Sequence, residues 1–180
     1  GQVRLKFLVS ATGEVDDVLV LESSLGNYAI ERCLVVEARR LPFPAPRGNK
    51  AAEFDYSLVF RSTGEMSVVD FTEDAMSSQV SPLLAKLDPC PALGPEPVTA
   101  VVYVEPSGTV ASAGLYSEGP VDPEAGVCAL EQVRRWRLLG DAGHVIRGRF
   151  QLRVPRGNPA AEATSQVMPR KPAPMKKRRR

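Results

Sequence analysis

The sequence predicts an α+β protein made of two tandem β-β-α-β units, each a three-stranded antiparallel sheet packed on a helix. Three observations lead there. Cys33 and Cys128 lie 95 residues apart, and at the same spacing Gly13 matches Gly108, Val15 matches Val110 and Arg39-Arg40 matches Arg134-Arg135. Around both glycines, apolar residues alternate with others in the manner of strands. Between that pair of runs and a last alternating run, each half carries a segment of helical periodicity. A spacing this long marks a duplicated domain, because solenoid repeats run at roughly 20 to 50 residues.

The first strand of each unit is Val3 to Val9 and Val98 to Val104, both rich in β-branched and aromatic residues. Turns at Ser10 to Glu14 and Glu105 to Thr109 join them to Val15 to Leu21 and Val110 to Tyr116. Gly13 and Gly108 hold the same turn position, which predicts backbone with positive φ. A helix follows in each. Asn27 caps the first, ahead of Ile30, Cys33, Leu34 and Glu37; Asp122 caps the second, with Pro123 at its first position ahead of Cys128 and Val133. Register places Cys33 and Cys128 at matching inward positions. Glu31 with Arg32, and Glu37 with Arg40, read as charges on the helix surface. Pro42, Pro44 and Pro46 stop the first helix. The last strands are Phe54 to Phe60, whose stripe Phe54, Tyr56 and Phe60 is expected to pack under the helix, and Phe150 to Val154.

These elements divide the chain into residues 1–62, a linker 63–73, residues 74–155 and a disordered basic tail 156–180. The joining region is not all linker, for Met76, Val80, Leu83, Leu84 and Leu87 share a helical face that belongs to the second unit, with Ser81-Pro82 as an alternative start. With 43% hydrophobic and 24% charged residues, composition is that of an ordinary globular protein. The formal charge of +2 comes largely from the terminal Lys176 to Arg180 run. No apolar run approaches the roughly 18 residues of a membrane span. A start at Gly1, with the first strand beginning almost at once, reads as a fragment of a longer protein.

Catalytic patterns are missing. There is no phosphate-binding glycine loop, no His-Glu-x-x-His and no Gly-x-Ser-x-Gly. Asp16-Asp17 are strand neighbours that point to opposite faces. With a single histidine, His144, set in a loop, and no Cys-x-x-Cys, a metal site is not expected. The chain is therefore read as a non-enzyme without cofactors. The residues themselves leave the three cysteines as buried free thiols or, in an oxidising compartment, as a disulfide pair and a remainder.

Hairpin, helix and final strand, with Ser24-Leu25-Gly26-Asn27, Glu31-Arg32-Cys33, Arg39-Arg40 and Phe43-Pro44-Ala45-Pro46, resemble the TonB C-terminal-like domain. They look similar to the variant found in myxobacterial gliding-motility and envelope proteins, the AgmX/PglI C-terminal type. The likeness covers residues 2 to 61 well and 75 to 154 more loosely, where Leu138-Leu139-Gly140-Asp141 replaces the Phe-Pro-Ala-Pro run. It implies that the extra helix of the second unit carries Cys90 to a Cys90–Cys128 disulfide, and that the partner of Cys33 would lie upstream of Gly1. It also implies that the last strand is an edge that captures a partner's extended peptide. By position that edge is Asp55, Tyr56, Ser57, Leu58, Val59 and Phe60 in the first unit, and Arg149, Gln151 and Arg153 in the second.

The expected role is a periplasmic energy-coupling module, anchored upstream in the inner membrane and gripping an outer-membrane or periplasmic protein by strand addition, in envelope transport or gliding motility. Two other classes compete with it. One is a structural assembly domain whose edges pair in a homodimer. The other is a basic-tailed nucleic-acid binder, disfavoured because the hairpins offer only Phe7, Tyr103 and Tyr116 for base stacking.

Overall fold

Both hairpins close on the glycines that the sequence marked for their turns. In the first half, β1 (Gln2–Val9) and β2 (Val15–Ser23) are followed by α1 (Tyr28–Ala38) and β3 (Ala52–Val59). In the second, β4 (Val68–Asp70), α2 (Glu73–Val80) and a 3-10 helix Ser81–Leu87 precede β5 (Val98–Val104), β6 (Val110–Ser117), α3 (Pro123–Arg134) and β7 (Val145–Leu152). The computed structural model describes residues 1–61, 64, 67–141 and 143–152; Arg153, Val154 and the tail 156–180 lie outside them.

Gly13 and Gly108 have φ of 93° and 82°, and each turn is clasped by the segment that leaves the following helix. The Gly13 carbonyl accepts from the Phe43 amide at 3.4 Å, and the Gly108 carbonyl from the Leu138 amide at 3.0 Å. Phe43 and Leu138 sit at the repeat spacing, so the duplication persists in the loop where the two sequences diverge. The helix starts are also as read: the Asn27 side chain accepts from the Ile30 amide at 3.3 Å, and Asp122 from the Ala125 amide at 2.8 Å. Both caps satisfy amides that the first helical turn leaves unpaired.

The architecture is mixed α+β with two sheets. The first has three antiparallel strands in the order β2-β1-β3. The second has four, ordered β4-β7-β5-β6, rather than the three expected. Its additional strand comes from the stretch read as linker: Val68, Val69 and Asp70 pair in parallel with Val145, Ile146 and Arg147. Arg147 fixes it in place with two hydrogen bonds to the Asp70 carboxylate, at 2.5 and 2.6 Å.

The halves are not equally buried. Met76, Val80 and Leu87 cover β7 and α3, and with Trp136, Phe150, Leu152 and Val133 they form a core whose members are almost fully enclosed. The first core is small: Val3, Leu5, Phe7, Val9, Val18 and Ala38, flanked by partly buried Leu34, Val35 and Phe43.

The two units meet along β2 and β6, and α1 packs on both of these strands. Tyr28 of α1 rests against the core of the second half, and the Tyr103 hydroxyl donates to the Ser24 carbonyl at 2.7 Å. Under this contact lies Glu31, 1% exposed. Its carboxylate accepts from the Ser23 hydroxyl at 2.6 Å and from the Leu115 amide of β6 at 3.0 Å. Gly114 lets it approach, since a methyl group there would overlap the Glu31 carboxylate and crowd the Asn27 amide. Gly114→Ala is accordingly expected to lower the melting temperature by several degrees, as an overpacked contact costs about 1–3 kcal/mol; an unchanged melting curve would contradict this packing.

Candidate peptide-binding edge

β3 has β1 on one side and, among the described residues, no strand on the other. The phase of its ladder follows from one pair. Gly1 and Phe60 exchange two backbone hydrogen bonds, both at 2.7 Å. In an antiparallel pair such exchanges occur at every second position, so with Val3 opposite Leu58 and Leu5 opposite Tyr56, the backbone groups of Ala52, Phe54, Tyr56, Leu58 and Phe60 face β1. Those of Glu53, Asp55, Ser57 and Val59 therefore face outward. Side chains divide in the same way. Phe54, Tyr56 and Leu58 lie on the face of Leu5 and Phe7, while Glu53 and Asp55 lie on the charged face, near Lys6 at 3.4 Å and Arg4 at 3.7 Å.

The expectation that Phe54, Tyr56 and Phe60 pack under the helix is corrected. Tyr56 is 56% exposed, and Phe54 and Phe60 are each 37% exposed. The cause is where the helix sits: α1 lies over β2 and leans toward β6, leaving β3 open. Phe54 is held by ring contacts with its neighbours, stacked on Phe7 with ring centres 5.0 Å apart and edge-on to Phe43 at 5.3 Å. In the second half α2 supplies the missing cover, and Met76 lies over Gly148 of β7.

The same asymmetry separates the cysteines. Cys90 and Cys128 form a disulfide with Cα atoms 5.7 Å apart, tying the end of the covering segment to α3. Cys33, read as inward, is exposed and free. Among the described residues nothing lies over that side of α1, where Ile30 and Val36 are each 46% exposed.

On β7 the open edge is shorter. The Phe71 amide donates to the Arg147 carbonyl at 2.9 Å, so the residues in phase with Arg147, namely Arg149 and Gln151, also point away from β5. β4 reaches only as far as Arg147, which leaves Arg149 and Gln151 without a strand neighbour on that side among the described residues. Arg153 lies outside the described residues.

The reading of Glu31 as a surface charge is also corrected. Burial pushes its carboxyl above the usual glutamate range, against hydrogen bonds from Ser23, Leu115 and Asn27 that favour the charged form. No signal in the sequence marks it, because its partners stand on a strand more than 80 residues away as well as nearby. Glu37 and Arg40 do pair at the surface, at 2.8 Å. Beside Glu31 a cleft of about 200 Å³ opens between the halves, walled by Val18, Val20, Val35 and Val121 with Arg32 and Arg39 at its rim. Arg39 is already paired with Asp17.

Among the described residues no group of three His, Cys, Asp or Glu side chains is placed to hold a metal ion, and no helix is long and apolar enough to cross a membrane. What fold and edge define is an α+β protein with a sheet edge open on its first unit. Comparison with family models, curated proteins and solved structures finds no match to the chain.

Proposed function

We propose that this chain is a non-enzymatic protein-binding module of the cell envelope that takes up an extended segment of a partner as a fourth strand beside β3. The observation that carries the reading is the outward row of amide and carbonyl groups on Glu53, Asp55, Ser57 and Val59, on a strand exposed along nearly its whole length. Such a row is a template for strand addition, with main-chain hydrogen bonds giving affinity and alternate side chains giving selectivity. The shorter edge at Arg149 and Gln151 is a second, weaker station. The Cys90–Cys128 disulfide suits an oxidising compartment such as the periplasm. Together with the resemblance to TonB-like domains, it supports a role in coupling an inner-membrane motor to outer-membrane or periplasmic partners.

The ladder phase supplies a test with its own control. Proline at Ser57 removes an outward amide and leaves the β1 pairing intact, a position that edge strands tolerate. Proline at Tyr56 breaks the β1–β3 ladder instead. On an array of extended ten-residue peptides, Ser57→Pro is expected to lose binding at least tenfold with an unchanged melting temperature, whereas Tyr56→Pro unfolds the first unit. Peptide binding that survives Ser57→Pro would remove the edge from consideration. Self-association that vanishes with the same substitution would assign the edge to assembly between copies.

A further inference from the structure

The side chains on β3 restrict what an added strand can carry, and this inference rests on the strand-addition reading above. From the ladder phase we infer that the occupant is an extended segment with apolar residues at every second position and Lys or Arg at the two intervening positions that face Glu53 and Asp55.

The argument starts from the two columns that β3 presents. A strand joining the outward backbone groups places half of its side chains beside Glu53, Asp55, Ser57 and Val59, and the other half beside Phe54, Tyr56 and Leu58. The second column is apolar and open, with Tyr56 56% and Phe54 37% exposed. Apolar side chains of the incoming strand gain by covering it. The first column begins with two carboxylates. Among the described residues each meets a cation on its inner side alone: Glu53 has Lys6 at 3.4 Å, and Asp55 has Arg4 at 3.7 Å. Arg4 is itself shared with Glu22 at 3.8 Å. Among the described residues nothing covers the outer side of either carboxylate, and the side chains of Glu53 and Asp55 are 61% and 43% exposed.

Residues directly opposite across antiparallel strands lie about 4.5–5.5 Å apart at Cβ, close enough for unlike charges to attract and like charges to repel. Lys6 stands opposite Asp55 and Arg4 opposite Ser57, so the ion pairs to Glu53 and Asp55 run diagonally across β1 and β3, and cations on the added strand would give each carboxylate a second partner on its outer side. Acidic residues there would form an acidic pair with no intervening base. Ser57 and Val59 ask for small or apolar neighbours at the remaining positions. The sequence therefore sets charge selectivity at one end of the edge and apolar contact along its other face.

The test uses fluorescein-labelled ten-residue peptides, one alternating Val with Lys and one alternating Val with Glu, titrated into the full chain at low salt and read by fluorescence anisotropy. The Lys peptide is expected to bind roughly tenfold more tightly than the Glu peptide, from two favourable pairs against two repulsive ones. In the double variant Glu53→Lys with Asp55→Lys the preference should reverse, and in Ser57→Pro both peptides should be lost. Equal binding of both peptides, abolished by Ser57→Pro, would overturn the charge selectivity while leaving strand addition in place. Binding of neither peptide would remove both readings. Sedimentation showing that β3 is instead occupied by the β7 edge of a second copy, with the Lys peptide unable to compete, would overturn the partner chemistry stated here.

Discussion

Removing the Cys90–Cys128 bond is expected to destabilise the second unit by about 4 kcal/mol, the loop-closure value for a separation of 38 residues. The bond joins two pieces that would otherwise depend on packing alone, the covering segment of α2 with its 3-10 extension and the helix α3. Met76, Val80 and Leu87 are the inward residues of that cover, each at most 2% exposed, so losing it would also expose β7. Thermal melts of a Cys33→Ser background, with and without reductant, give the measurement; the background keeps the exposed thiol from exchanging with the disulfide. A fall on the order of 10 °C or more is expected on reduction, and none in the triple variant that also carries Cys90→Ser and Cys128→Ser. A shift of a degree or two would mean that the cover is held by its apolar contacts, and that the bond adds little to them.

What was legible in the sequence was local or repeated. Gly13 and Gly108 announce positive-φ turns because no other residue adopts them at so little cost, and Asn27 and Asp122 announce helix starts because their side chains satisfy nearby amides. The β1 and β5 strands follow from alternation alone, whereas of β7 alternation marks only the end, Phe150 and Leu152, and not its start at Val145. The rest depends on where elements lie relative to one another, which alternation does not encode. Phe54, Tyr56 and Phe60 have the pattern of a strand with one face covered, and that pattern is present, yet α1 is displaced toward β6 and leaves the face open. Val68 to Asp70 is too short to stand out as a strand and gains its structure only by pairing with β7. Cys33 shares the helical register of Cys128 and not its surroundings. Family likeness points to the last strand as the edge, and only the ladder phase shows that Asp55, Ser57 and Val59 differ from Tyr56 and Leu58 in what their backbones offer.

Glu31→Ala is expected to cost about 2 kcal/mol and to loosen the two units from each other. The substitution leaves the Ser23 hydroxyl and the Leu115 amide without their acceptor, each worth about 1–3 kcal/mol when buried and unmet, and the loss is partly offset because a carboxylate no longer has to be desolvated. The pH dependence distinguishes this account from a simple cavity. Burial raises the folded-state pKa of Glu31 above its ordinary value of 4.5. As pH rises, the unfolded chain gives up this proton first. Between the two pKa values the native state therefore holds more protons than the unfolded state, and the contribution of Glu31 to stability falls until the folded pKa is passed. Below about 4.5 that contribution is fully present, and above the folded pKa it is constant and smaller. Glu31→Gln keeps an acceptor in the same place without the charge, so denaturant melts across this range should lose the downward slope and show equal or greater stability on its alkaline side. Persistence of the wild-type slope in Glu31→Gln would assign it to another group. Because Gly114 is what admits the carboxylate to β6, Gly114→Ala and Glu31→Ala act on one contact, and their costs should sum to more than the double variant shows. Additive costs would mean that Gly114 supports the packing of β6 independently of Glu31.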